Sequence, residues 1–320
     1  LKSKRPENFQ AFVDEWYAQT HEGRVALCAR CGISIGTGRH WVSDSGQTQA
    51  RVKLFPPAPM EIRPNEPTCL TTKKGLSKAI ILGDTHCPYQ DSEVVMAVEK
   101  FMAATQPDYI IYNGDLTDFY QVSSFAKDPS RLGQMQDDID VTTTMFQRHK
   151  TIVPGAEQIM IEGTHENRWF KYLQEKAPAA SKLRGMSISS LYTLPTLGIT
   201  YVPFERGLLV NNSFLILHGD IANKHSSATA KAHFEKNGGS GLCNHTHRLG
   251  SYFKRDRYKT HGWWENGCLC VLNPDWLQNP DWQQGFSMIT FEDTGRYFVE
   301  QIPIISNRFI YGGLTYSAET

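Results

Sequence analysis

Phe9, Phe12, Val13, Trp16 and Tyr17 recur at the spacing of a single helical face, so the chain is predicted to open with an amphipathic helix. A second short helix is predicted over residues 24–31, stopped by Gly32 and restarted after Ser34 as its N-cap. Between Gln47 and Lys74 the periodicity fails. Pro56, Pro57, Pro59, Pro64 and Pro67 break any regular element there, which predicts a linker. Beyond Gly75 short apolar runs alternate with helical patterns. The runs at 79–82, 109–112, 158–161 and 214–217 read as buried strands. Helices are predicted over 92–104, 131–150 and 226–236, and the tail from Leu269 as strands and turns. The expected organisation is a helical domain over 1–46, a Pro-rich linker over 47–76 and an α/β domain over 77–320.

The polar residues that follow the apolar runs carry the chemistry. The runs lead into Gly83-Asp84-Thr85-His86, Gly114-Asp115, Gly163-Thr164-His165-Glu166 and His218-Gly219-Asp220. Ligands of α/β sheets gather outside the carboxyl ends of the strands, so these side chains are expected to converge on one pocket. Carboxylates with imidazoles suit manganese, iron or zinc, and the absence of thiolates from the set argues against a closed structural zinc site. Asp84 and His86 are separated by one residue, and His245 and His247 repeat that spacing. Asp115 lies between them in order and is placed to bridge two ions. Two ions about 3.5–4 Å apart suit in-line displacement at phosphorus.

Composition narrows the partners. In 320 residues, 33 basic side chains balance 33 acidic ones, which excludes a uniformly basic nucleic-acid coat and leaves only local polyanion binding. No apolar run follows the basic residues at the start, and none approaches the roughly 18 residues of a membrane span. With seven cysteines, an odd number, the expectation is a reduced, cytoplasmic protein without membrane contact.

The ordered blocks Gly83-Asp84-Thr85-His86, Gly114-Asp115-Leu116-Thr117-Asp118, Gly163-Thr164-His165-Glu166, His218-Gly219 and His245-Thr246-His247 resemble those of calcineurin-like metallophosphoesterases, over about residues 78–300. The resemblance implies an α/β fold, a four-layer α/β/β/α sandwich, with a dinuclear metal centre of manganese or else iron or zinc. Asp84, His86 and His247 would hold one ion, Asp115 would bridge, and His218 and His245 would hold the other. His165 would assist the leaving oxygen while a hydroxide between the ions attacks phosphorus. Asp118 and Glu166 would orient ligands, and Arg248 would meet a phosphate oxygen. The family's Asn ligand is replaced here by Thr164, a shorter and poorer donor, which weakens the second metal position. Asn244 stands where the family has glycine, and its tolerance of left-handed backbone is expected to preserve that turn.

Several features admit two readings. Residues 24–42 resemble a helix-turn-helix offering Thr37, Arg39 and His40 to a DNA groove. Against this, Gly36 and Gly38 would each cost about 1 kcal/mol inside a helix. Residues 1–50 carry only six basic against five acidic side chains. Cys28 and Cys31, like Cys268 and Cys270, read as packing residues. Trp263, Trp264, Trp276 and Trp282 read as core before base-stacking platforms. The reading carried forward is a metal-dependent phosphodiesterase acting on nucleic acid. Its rivals are a phosphomonoesterase or protein phosphatase, and a DNA-binding protein whose phosphoesterase site is weakly metallated through Thr164.

Overall fold

The N-terminal periodicity becomes three helices, α1 (Phe9–Ala18), α2 (His21–Arg30) and α3 (Ile35–Ser43). These come from a computed structural model that describes residues 7–43 and 66–319. The expected linker therefore lies outside the described residues as far as residue 65. The chain divides into two compact units, Leu1–Pro64 and Asn65–Thr320.

In the first unit, α2 begins a turn earlier than predicted because Thr20 caps it, accepting from the Gly23 amide at 3.3 Å. Ser34 caps α3 as predicted, accepting from Thr37 N at 3.1 Å. Phe12, Val13, Trp16, Leu27, Cys28, Trp41 and Val42 form the core. The objection to Gly38 in a helix is answered by packing. A Cβ there would lie 2.6 Å from Cys28 Sγ and 2.7 Å from the Trp16 ring. Cys31 departs from expectation: it follows the last residue of α2 and is exposed, while Cys28 packs.

In the second unit residues 68–70, predicted as linker, instead form an edge strand, β1 (Thr68–Leu70). There follow β2 (Leu76–Leu82), α4 (Ser92–Thr105), β3 (Tyr109–Asn113), α5 (Met135–Ile152), β4 (Glu157–Ile161) and α6 (Thr164–Lys176). Two four-residue helices, α7 (Ile188–Leu191) and α8 (Leu194–Leu197), lead to β5 (Thr200–Val202), β6 (Leu208–Val210) and β7 (Phe214–Ile216). The chain continues through α9 (Ala228–Asn237), β8 (Ser240–Cys243), β9 (Gly250–Arg255) and β10 (Thr260–Glu265). It ends with β11 (Gly285–Glu292), β12 (Tyr297–Pro303) and the hairpin β13 (Arg308–Tyr311) and β14 (Leu314–Ser317).

One sheet runs β12-β11-β2-β3-β4-β5 and the other β1-β6-β7-β8-β10-β9. Strand alternation builds the layers. In β2, Ile80 and Leu82 face a core with Val98, Phe101 and Phe146 of α4 and α5. Ala79 and Ile81 face the other way, toward Val210, Phe214, Ile216 and Trp264 of the second sheet. Trp264 thus packs between the sheets. Its neighbour Trp263 packs on the outer face with Ala230 of α9. The result is the expected α/β/β/α sandwich.

Candidate metal centre and its pocket

The candidate ligands sit on loops at the carboxyl ends of β2, β3, β4, β7 and β8, so both sheets contribute. Asp84, His86, Asp115, His245 and His247 all have positive φ, between 47° and 78°. Non-glycine residues held there are strained, and such strain concentrates at functional sites. The loops also approach closely. A Cβ on Gly163 would stand 2.2 Å from Asp115 N, so only glycine lets the β3 and β4 loops meet.

Two groups of donors result. In the first, Asp84, His86 and His247 bring ligand atoms within 4.8 Å of one another; in the second, Asp115, His218 and His245 do the same. His86, Asp115 and His165 form a third group that joins them. The first group fits a cation closely. Nε2 of His86 faces Nε2 of His247 at 3.0 Å. Asp84 Oδ1 is 3.8 Å from the former and 3.5 Å from the latter. That oxygen is buried without a hydrogen-bond partner. A buried carboxylate oxygen facing two imidazole nitrogens is a costly arrangement unless a cation joins them. His218 Nε2 lies 3.1 Å from Asp115 Oδ2, and its Nδ1 is tied to the Asn113 carbonyl at 2.8 Å. Burial disfavours charge on His218 and His247, yet Asp115 beside one and Asp84 beside the other push each up to about 9. The potential of the site therefore draws cations.

Outer partners fix these ligands. Asp118 Oδ1 lies 3.2 Å from His86 Nδ1 and 3.1 Å from His165 Nδ1. Burial opposes its ionisation, but the two imidazoles hold its carboxyl far below the usual range. Glu166 accepts from the amides of Asp115, Leu116 and Gly163 at 2.8–3.0 Å, which clamps the Asp115 loop. Asn244 works differently from expectation: it has no positive φ, and the left-handed residues of its loop are His245 and His247. Its amide instead donates to Asp84 Oδ2 at 3.0 Å and its oxygen accepts from Asn113 at 2.8 Å, tying the two sheets together. Thr164 Oγ1 donates to Asp115 Oδ2 at 2.9 Å and lies 3.4 Å from His245 Nδ1, at the edge of the second group.

His165 is brought to the site and Arg248 is not. His165 Nδ1 lies 2.8 Å from the Asp118 carbonyl, and its ring meets that of His86 with centroids 4.3 Å apart. Arg248 is held by the Asn223 carbonyl at 2.7 Å and by Asp281 at 3.2 Å. The arginine beside His165 is Arg168, whose guanidinium donates to His165 Nε2 at 2.7 Å. Arg168 is three residues after His165 on α6, a spacing that puts both on one face and made it findable. Cys268 and Cys270 pack as expected but also flank His247, with Cys270 Sγ 3.9 Å from Nδ1. That contact had no local signal, because Cys270 lies 23 positions after His247.

A cavity of about 550 Å³ opens here, lined by His86, His165, Arg168 and His247 together with Arg131 and Trp276. Trp282 lines it too and packs on His247, ring centroids 4.4 Å apart. The four tryptophans therefore divide: Trp263 and Trp264 are core, Trp276 and Trp282 line the pocket. No described helix is long and apolar enough to cross a membrane.

Among known proteins, the family described as calcineurin-like phosphoesterase matches residues 77–286. The Gene 54 protein of Mycobacterium phage D29 is 27% identical over 258 residues, which is 74% of this chain and 97% of that protein. The Gene 54 protein of Mycobacterium phage L5 is 24% identical over 256 residues, with the same coverage of 74% and 97%. Among solved structures, a Vps29 double mutant from Entamoeba histolytica matches 75% of this chain and 96% of its own at 9% identity, with a TM-score of 0.39.

Proposed function

We propose, from the premise that the chain belongs to the calcineurin-like phosphoesterase family and is a metallophosphoesterase, that its substrate is a phosphodiester of nucleic acid. The observation that carries the metal chemistry is the pair of donor groups joined through His86 and Asp115. Asp84, His86 and His247 would hold one ion, His218, His245 and Thr164 the other, with Asp115 shared and manganese the preferred metal. Bound there, two divalent ions activate water and neutralise charge on the phosphoryl oxygens.

The chain's own residues supply the rest. Asp118 holds His165 through Nδ1, and once Arg168 turns away Nε2 is free to take up a proton and pass it to the leaving oxygen. Arg168 turns its guanidinium from His165 Nε2 to a non-bridging phosphate oxygen. Arg248, tied to Asp281, is withdrawn from that role. A diester is favoured because the cavity extends well past the space one phosphate needs, leaving room for an esterified group beyond the metals.

In the first unit, α3 presents Arg39 and His40 on its outer face, and contact of residues 24–42 with DNA belongs to the same reading. All seven cysteines are free, which suits a cytoplasmic setting.

The test is hydrolysis of bis(p-nitrophenyl) phosphate and p-nitrophenyl phosphate by metal-stripped protein with and without Mn2+. Manganese-dependent turnover favouring the diester is expected. Preference for the monoester would overturn the diester assignment. A mobility shift of duplex DNA that is lost in Arg39→Ala would support the role of α3, and an unchanged shift would remove it.

A further inference from the structure

The cavity also holds an arginine with an unusual set of neighbours. The Arg131 guanidinium carbon lies 3.5 Å from the centroid of Trp276 and 4.0 Å from that of Tyr120. Tyr89 flanks the same group at 5.3 Å, and its hydroxyl lies 3.4 Å from Arg131 Nε. Rings on several sides fix the cation's position, because each face attracts it. Yet no carboxylate pairs with it among the described residues. Asp128, on the same turn, accepts the amide and hydroxyl of Ser130 at Oδ1, at 2.9 and 2.7 Å, and feels the Arg131 charge without pairing with it. Asp118 is engaged by His86 and His165.

Other cations lie close by. Lys127 hydrogen-bonds to Ser123 and sits over Tyr120, its ring centroid 4.9 Å away. Its ammonium is pushed down by burial and then by Arg168 and Arg131, so it lies within the field of both. Arg168, beside His165, and Arg131 both line the cavity. A pocket with two arginines and aromatic walls is built for more than one phosphate and for a flat ring. Phe125 is 72% exposed and Trp276 41% exposed, both at this cavity. Exposed aromatics beside cations are the elements of single-strand recognition, where bases stack on rings and phosphates meet arginine.

We infer that this pocket is the subsite for the nucleotide next to the scissile bond. Arg131 takes that nucleotide's outer phosphate, and Trp276 with Phe125 takes its base. The inference rests on the phosphodiesterase reading above and narrows it to an unpaired strand. A base held in a duplex would have to leave its stack to enter a cavity of this size.

The experiment compares three substrates with the manganese-loaded full chain: bis(p-nitrophenyl) phosphate, the dinucleotide TpT, and pTpTp, which adds the outer phosphates. The expected result is a kcat/KM for pTpTp about tenfold above that for TpT, expressed in KM, as one charge-assisted contact provides. In Arg131→Gln that preference falls to near unity. Cleavage of both dinucleotides without preference overturns this inference and leaves the nucleic-acid reading standing, as does a preference that survives in Arg131→Gln. Turnover of bis(p-nitrophenyl) phosphate with neither dinucleotide cleaved overturns both. Should Arg131→Gln not fold, tryptophan fluorescence titrations of the unmutated protein decide. Tighter binding of pTpTp than of TpT upholds the inference, and equal affinity overturns it.

Discussion

Arg168 and His165 are joined on one face of α6 by a hydrogen bond from the guanidinium to the imidazole Nε2, 2.7 Å long. The bond leaves His165 as acceptor, so the arginine must turn away before that nitrogen can act on a leaving group. Arg168→Ala is expected to lower kcat by roughly 100-fold, in the range of a lost transition-state donor. Steady-state kinetics on bis(p-nitrophenyl) phosphate checks this; an effect confined to KM would reassign Arg168 to ground-state binding.

His165→Ala should keep both metal ions and the fold while losing turnover by about 10²–10⁴-fold. Metal analysis alongside kinetics separates the two effects. Loss of one ion would make His165 a ligand, and undiminished turnover would remove it from the chemistry.

Thr164 already bonds Asp115 and approaches His245 with its hydroxyl. Thr164→Asn places a stronger oxygen donor at the same edge. The manganese concentration for half-maximal activity should fall by about tenfold, equivalent to about 1.4 kcal/mol of added metal affinity. An unchanged activation curve would show that the second position is complete without residue 164.

Candidate ligands from both sheets would make bound ions a bridge across the sandwich, so metal is expected to stabilise the fold. At a hundredfold excess over the dissociation constant the gain is about 2.7 kcal/mol. That corresponds to an increase of roughly 5–10 °C in Tm for a domain of this size. Calorimetry with Mn2+ against chelator tests it, and coincident transitions would argue against bridging.

Glu162 supplies a pH signature. Burial, reinforced by Glu166, pushes its carboxyl from 4.5 up to about 7 despite hydrogen bonding by Tyr201. The folded state thus binds this proton more tightly than the unfolded state. Its contribution is fully present below about pH 4.5 and is lost as pH rises through about 7, amounting to about 3 kcal/mol. Glu162→Gln should therefore melt higher than the unmutated protein at pH 8 in chelator, with the gap closing toward pH 5. Parallel melting curves across that range would refute the assignment.

The apolar runs placed four strands, β2, β3, β4 and β7, because strand alternation and burial are local properties. β2, β3 and β4 each lie where a short apolar run does. Caps moved the helix starts: Thr20 drew α2 forward, and a turn at Pro129–Arg131 pushed α5 back to Met135. The convergence of the candidate donors was legible because each follows a strand end. Arg168 lies three residues after His165 on α6, a spacing the sequence carries, whereas the arginine adjoining the histidine pair, Arg248, turns to Asp281. Cys270 beside His247 and Arg131 among Tyr89, Tyr120 and Trp276 were not legible, because those contacts exist only after distant loops meet.

Asn244 reaches from one sheet to Asn113 and Asp84 on the other. Each donor group draws ligands from both sheets, so the span within each group is set by the layer of Ile81, Phe214 and Trp264 between them. Turnover becomes a calliper reading of that layer. A substitution there that alters its thickness by a methyl group would register first as weaker metal binding, before any loss of fold could be measured.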